Sequence, residues 1–445
     1  MTTRWAWLLA TLAAGCGVDA DSSSLRAELA PLRYDDAPPP IDASNRFGHM
    51  PAAATLGHRL FFETRLSGPL LDPDNGALAG SLGATGTPGL VSCASCHVPE
   101  AGFVDTRSPG QQISLAAQWT ARKSPSLLEA GFVSLFNWDG GRDSMWRQTI
   151  GVMESNRELN SSRLFVAQQM FAIYRTDYEA IFGAMPPLDD AVRFPRLAAE
   201  SAGCVRSTTK YICHGMPGDG AEYDGMTADD QTAVTRVVVN AAKAIAAYQR
   251  QLRCGSSRVD AWIDGDDAAL DDSERRGAAL FVGKAKCADC HSGPNLTDNQ
   301  FHNVGLAPRH VAQAFIDTGD DGARTGLAGL AMDPLNVQSA FSDGDDGRLP
   351  TTVASNMAGA FRTPSLRCNA THPSFMHTAQ IRTVAEVVMF FDKGGDPPGP
   401  YPGQSELEPL GLTEDQRADL TAFLAALEGP GADAALLEDL HGGTP

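Results

Sequence analysis

Two short motifs constrain this chain more than anything else in it: Ser-Cys-Ala-Ser-Cys-His at 92–97 and Lys-Cys-Ala-Asp-Cys-His at 286–291. Each sets two cysteines three positions apart, with a histidine directly after the second. Cys-x-x-Cys alone has three chemical uses: a redox dithiol, half of a zinc clip, or a covalent haem anchor. A redox dithiol sits at a strand-to-helix turn of a βαβ unit, and no such pattern surrounds either motif. The adjoining histidine separates the other two. Cysteines at this spacing reach the two vinyl groups of one haem as thioethers, and the next imidazole meets the iron from the same side. The expected cofactors are therefore two covalent haem c groups. Cys93, Cys96 and His97 hold the first; Cys287, Cys290 and His291 hold the second. His97 and His291 are the proximal iron ligands, and a zinc or disulfide site is the competing reading.

The chain has 445 residues, 43% hydrophobic and 20% charged, enough for two or three domains with a sizeable core. Its 44 glycines and 28 prolines point to long loops. A net charge of −19 argues against a nucleic-acid partner, which needs a basic surface. It suits a small cationic redox protein steered in by the field, and equally suits plain solubility. The N-terminus has Arg4 and then an apolar run, Trp5 to Ala14, too short to span a bilayer. Ala14-Gly15-Cys16 resembles a lipoprotein cleavage site, although Ala13 stands where that pattern prefers leucine. The expectation is a signal peptide over 1–15, lipidation at Cys16, and a periplasmic or cell-envelope location, with any membrane contact made through the lipid alone. Of nine cysteines, Cys204, Cys213, Cys254 and Cys368 remain. In an oxidising compartment they suggest two disulfides. Three pairings are open, and Cys204–Cys213 closes the shortest loop.

Residues 16–45, rich in Asp, Ser, Pro and Ala, read as a flexible tether. An N-terminal unit is expected over 46–226, with an inserted polar loop at about 186–226. A C-terminal unit follows over 227–430 and a tail over 431–445. Apolar spacing predicts helices over 52–68 and 163–183, over 227–252 capped by Thr227, and over 273–285. Another begins at a capping box formed by Thr413 and Gln416. A weak repeat links these pieces: LGHRLFF precedes CASCH and RGAALFV precedes CADCH, while RKSPSL (122–127) and RTPSL (362–366) follow them in turn. The fold class is mainly α, built from two related units with long loops and few short strands.

From about Leu56 to Leu427 the chain resembles the dihaem cytochrome c peroxidase family, which includes the MauG-type protein-modifying enzymes. The resemblance rests on LGHRLFFETRLSG, SCASCHVPEAGFVD, NWDGGRDSMWRQ, GAALFVGKAKCADCHSGPNLTDNQFHNVG and FRTPSLRCNATHPSFMH…VAEVVMFFDKGG. It implies two cytochrome c-like haem domains, an N-terminal one where hydrogen peroxide is cleaved and a C-terminal one that takes in electrons. The electrons come from a small cytochrome c or cupredoxin. On matching positions it implies that Trp138 lies between the haems and that Gln148 and Glu158 overlie the peroxidatic one. The chemistry agrees: heterolysis of peroxide needs an open iron and a group that moves a proton between the two oxygens, which a carboxylate does. The plain alternatives are a solvated acid at Glu158 and a core aromatic at Trp138. The competing functions are a MauG-like oxidase acting on a partner protein and a non-enzymatic dihaem carrier. Relatives are often homodimers.

The chain also departs from that family. No histidine lies between His97 and Trp138 to close the first haem. Lys123 stands where an asparagine often ligates Ca²⁺, and an ammonium replaces that charge rather than binding it, so calcium is not expected. The distal position of the second haem falls on Phe391, whose ring has no lone pair for iron. Met389 and His377 are the candidate substitutes.

Overall fold

A computed structural model of the chain describes residues 19–107, 113–208, 210–218, 221–308, 319–399 and 401–441. The expected signal peptide and Cys16 lie outside them. Nine helices of eight residues or more appear among the described residues: α1 (Asp19–Leu29), α2 (Pro51–Phe62), α3 (Met145–Glu154), α4 (Arg163–Phe182), α5 (Ala228–Gln249), α6 (Asp272–Val282), α7 (Ala323–Leu330), α8 (Val384–Asp392) and α9 (Glu414–Ala426). Two small antiparallel pairs complete the fold, β1 (Gly203–Arg206) with β2 (Tyr211–His214) and β3 (Phe301–His302) with β4 (Phe361–Arg362). No described helix is long and apolar enough to cross a membrane.

Helix starts follow their caps. The Thr227 hydroxyl accepts from the Asp230 N–H, and Thr413 with Gln416 forms the reciprocal box that opens α9. The helix expected over 52–68 stops at Phe62. There the Glu63 carboxylate accepts both the backbone N–H and the guanidinium of Arg65 and turns the chain.

The two largest apolar cores each lie beside one CxxCH motif. In the first, α2, α3 and α4 pack on α5 through Leu56, Leu60, Trp146, Ile150, Met170 and Val238, with Cys96 at its edge. In the second, α1, α6 and α9 meet through Leu29, Trp262, Phe281, Leu296 and Phe423, with Cys287 at its edge. The repeat explains both crossings. A Cβ on Gly57 would lie 1.8 Å from the Ala244 carbonyl of α5, and one on Gly277 would lie 2.1 Å from the Asp419 carbonyl of α9. Glycine lets each pair of backbones touch.

Two expectations need correction. Residues 22–45 are not a loose tether: Leu29 and Leu32 are buried in the second core, and the Tyr34 N–H donates to Asp260. The inserted segment at 186–226 is not simply a loop, since β1 and β2 form a hairpin there, closed by Cys204–Cys213. The described part of the tail packs on a further apolar cluster, where Leu436 and Leu437 lie near Phe61 and Tyr248. The second disulfide is Cys254–Cys368.

Candidate functional site

Among the described residues, the four motif cysteines are the ones left outside disulfides. Cys93 to Cys96 form a single helical turn opened by a Ser92/Ser95 capping box, and Cys287 to Asp289 form a 3₁₀ turn. Each histidine is held alike. His97 Nδ1 donates to the Phe103 carbonyl at 2.9 Å, and His291 Nδ1 donates to the Leu296 carbonyl at 3.0 Å. Phe103 and Leu296 both take positive φ, 61° and 51°, which turns their carbonyls back onto the rings. Pro125 and Pro364, the prolines of the two repeat copies, present further carbonyls to the same imidazoles. Fixing Nδ1 as the donor leaves Nε2 with its lone pair free for a metal, the usual way a protein orients a ligating histidine. Burial holds both rings below their ordinary pKa, so they are neutral at pH 7.

Trp138 is tied to both repeat copies. Its indole N–H donates to the Lys123 carbonyl at 2.8 Å, and its own carbonyl accepts from the Arg362 N–H at 2.7 Å. On its far side lies His377, 6.4 Å between ring centroids, itself stacked on Phe361 at 3.5 Å. Burial pushes His377 down to about 3 and Lys123 down to about 8. The Lys123 ammonium donates to the Ser374 carbonyl, and its backbone N–H donates to the His377 carbonyl at 2.8 Å.

Glu158 lies in the loop between α3 and α4. Burial raises its pKa, against a hydrogen bond from the Ser155 hydroxyl and the charge of Arg142. Burial raises the thiol pKa values of Cys93 and Cys96, and the Glu158 charge adds a smaller push in the same direction. The fold therefore brings Glu158 to the first motif, though they are far apart in sequence. Gln148 is half-buried on α3, and among the described residues no side-chain hydrogen bond joins it to Glu158. Met389 is 54% exposed, whereas Phe391 packs with Leu306 and Phe390.

Several residues escaped the sequence reading. Arg142, the charged neighbour of Glu158, ends the quoted NWDGGR. Buried between like and unlike charges, it is held below its ordinary pKa. Arg122 and Arg362 open the two repeat copies but differ in company. Arg122 pairs with Asp139 and Asp320 at 2.7 and 2.6 Å. Arg362 is 9% exposed, has one long bond to the Asn137 carbonyl at 3.5 Å, and no carboxylate partner among the described residues. Burial pulls its pKa down to about 10. A buried guanidinium without an anion is costly, and the carboxylates of a haem are anions of the kind it lacks. With the neutral histidines and the unpaired cysteines, the residues present fit a haem at each motif. His302 lies between Asp298 at 2.9 Å and Glu406 at 2.7 Å, with Cys290 Sγ close by. Cys290, Asp298 and His302 have a metal-ligand spacing, but that trio needs the Cys290 thiol that a thioether would consume.

Residues 51–268 match the sequence profile of the di-haem cytochrome c peroxidases. The chain is 28% identical over 410 residues to cytochrome-c peroxidase IdrP1 of Denitromonas iodatirespirans, covering 88% of this chain and 84% of that one. It is 28% identical over 421 residues to the methylamine utilization protein MauG of Methylorubrum extorquens, covering 94% and 88%. Its fold is similar to the crystal structure of the diheme peroxidase BthA from Burkholderia thailandensis. The TM-score is 0.57 at 20% identity, over 85% of this chain and 86% of that one.

Proposed function

We propose, from the premise that the chain belongs to the di-haem cytochrome c peroxidase family, that it reduces hydrogen peroxide to water with electrons from a small redox protein, using two covalently attached haems, one in each of two cytochrome c-like domains. The observation that carries this reading is Glu158, a half-buried carboxyl with a raised pKa, within electrostatic reach of the first CxxCH motif and of Arg142. Bound haem supplies an iron that peroxide coordinates and a redox couple that takes up and passes on electrons. The chain's own groups do the rest. One peroxide becomes two waters by consuming two electrons and two protons. Glu158 as carboxylate takes the proton from the near oxygen and returns it to the leaving one. Arg142 offers a fixed positive charge toward the leaving oxygen, which takes that proton and departs as water. Trp138, bonded to both repeat copies, sets an aromatic group between the two motif-bearing halves.

His97, His291 and their cysteines would hold the haems in this reading, and the Arg362 guanidinium would supply the positive charge that a haem carboxylate needs. Lys123 fills with its ammonium the place a divalent ion would take, so no calcium is required. An exported protein, lipid-anchored through Cys16, fits both the disulfides and covalent haem. The MauG-type alternative uses the same site and differs in where the oxidising equivalents go. A simple carrier has no use for a buried acid at the first motif.

Steady-state oxidation of a reduced small cytochrome c by peroxide tests the proposal. Glu158→Gln should keep both haems and lower turnover by roughly 10²-fold or more. Because Glu158 works as the carboxylate and burial raises its pKa, the wild-type rate should fall on acidification before ordinary carboxylates protonate. That limb should vanish in E158Q. Peroxide-dependent change in a partner protein without cytochrome oxidation would favour the MauG-type reading instead.

A further inference from the structure

Glu158 sits on a loop held from two sides. On one side the Arg157, Glu158 and Leu159 carbonyls accept backbone N–H groups from Gln118, Ala117 and Gly68 at 3.0, 3.1 and 3.0 Å. On the other side is Asn160, fully buried and left-handed at φ 47°. Its Oδ1 accepts the Cys204 N–H at 2.9 Å, and its Nδ2 donates to the Cys204 carbonyl at 2.9 Å and the Pro69 carbonyl at 2.8 Å. The side chain thus answers both backbone polar groups of Cys204, as a neighbouring strand would.

Cys204 belongs to β1, and its partner across the hairpin in both register and covalent bond is Cys213 of β2. The contact is close: a Cβ at Gly203 or at Gly68 would come within 2.0 Å of the Asn160 carbonyl. A second link runs in parallel. Tyr211 Oη of β2 donates to Gln118 Oε1 at 2.8 Å, and Gln118 Nε2 donates to the Asn156 carbonyl at 2.9 Å.

We propose that the disulfide-closed hairpin Gly203–His214 is a positioning element for the peroxide-cleaving acid–base, with Asn160 as the positioning residue that transmits its rigidity to Glu158. The inference rests on the reading of Glu158 above. An isolated two-stranded hairpin is marginally stable in water, so the disulfide makes β1 a firm backbone for Asn160 to grip. Asn160 touches no reacting group; it keeps the loop from relaxing, and a misplacement of about 1 Å at a reacting group can cost roughly 10²-fold in rate.

A double-mutant cycle on the haem-loaded protein tests this. Asn160→Gly removes the side chain and suits the left-handed backbone. It should keep both haems and the KM for reduced cytochrome c while lowering kcat by about 10- to 100-fold. In the Glu158→Gln background the same change should cost less than about 2-fold, because the two act as one unit. Should N160G not fold, Cys204→Ser/Cys213→Ser runs the same cycle with the same expected non-additivity. Full loss retained in the E158Q background, or kcat within about 2-fold of wild type for the single variant, overturns the proposal. An E158Q variant with wild-type turnover overturns instead the role given to Glu158, which that single variant reads on its own.

Discussion

His97 and His291 lie far apart in sequence yet share one design: Nδ1 given to a backbone carbonyl, Nε2 left for iron. The motifs announced themselves because covalent attachment demands a fixed spacing along the chain. Arg142, Arg362 and Asn160 did not, because what defines them is a neighbour distant in sequence or an anion that is missing. Phe391 falls between these cases. The family resemblance puts it at the distal position, and α8 runs unbroken from Val384 to Asp392. Phe391 therefore shares a face with Val387, and Met389 lies about 200° round the helix. The second haem is expected to lack a thioether or phenolate ligand. Phe391→Met should create a near-infrared His–Met charge-transfer band in the oxidised protein that wild type lacks. If wild type already has the band and Met389→Ala abolishes it, Met389 is the ligand.

Helix α1 was hidden by composition. Asp, Ser and Pro dominate its neighbourhood, yet Leu25, Leu29 and Leu32 recur at helical spacing and pack on the second core. The anchor is one buried ion pair. Arg367 bonds Asp260 at 2.5 Å and the Leu32 carbonyl at 2.6 Å, and Asp260 accepts the Tyr34 N–H. Burial pushes the Asp260 pKa up, but Arg367 and Ser257 outweigh it and hold the carboxyl below its ordinary value. A depressed carboxylate adds stability that is present above its unfolded pKa and lost as pH falls through the folded one. Asp260→Ala should cost about 3–5 kcal/mol at neutral pH, the usual loss when one partner of a buried pair is removed. Denaturant titrations should show that gap narrowing on acidification; a gap independent of pH would mean the pair is not the anchor. The long helices were readable from caps and periodicity. The 203–214 hairpin was not, because its pairing depends on a disulfide and on Asn160 rather than on alternating apolar residues.

The two cores are joined less by a shared helix than by connections that cross between them. The Cys254–Cys368 bridge spans 114 residues. The tail after α9 returns to α4 and α5, where the Leu436 carbonyl accepts the Tyr248 hydroxyl and His441 meets Tyr174 at 2.7 Å. Composition foretold loops and α content but not these crossings, since nothing in a short peptide says where it will dock. Replacing Cys254 and Cys368 by serine should lower stability by about 2–5 kcal/mol, the range for long disulfide loops, without loss of haem. An unchanged denaturation midpoint would mean that the tail and side-chain contacts hold the halves alone.

All of this depends on each core carrying one covalently bound haem. Intact mass of the processed protein, with a pyridine haemochrome spectrum, measures that directly. The account predicts a mass two haems above the polypeptide, a thioether-type spectrum, and one haem fewer when Cys93 and Cys96 are both replaced by alanine. A wild-type protein carrying one haem or none would contradict it.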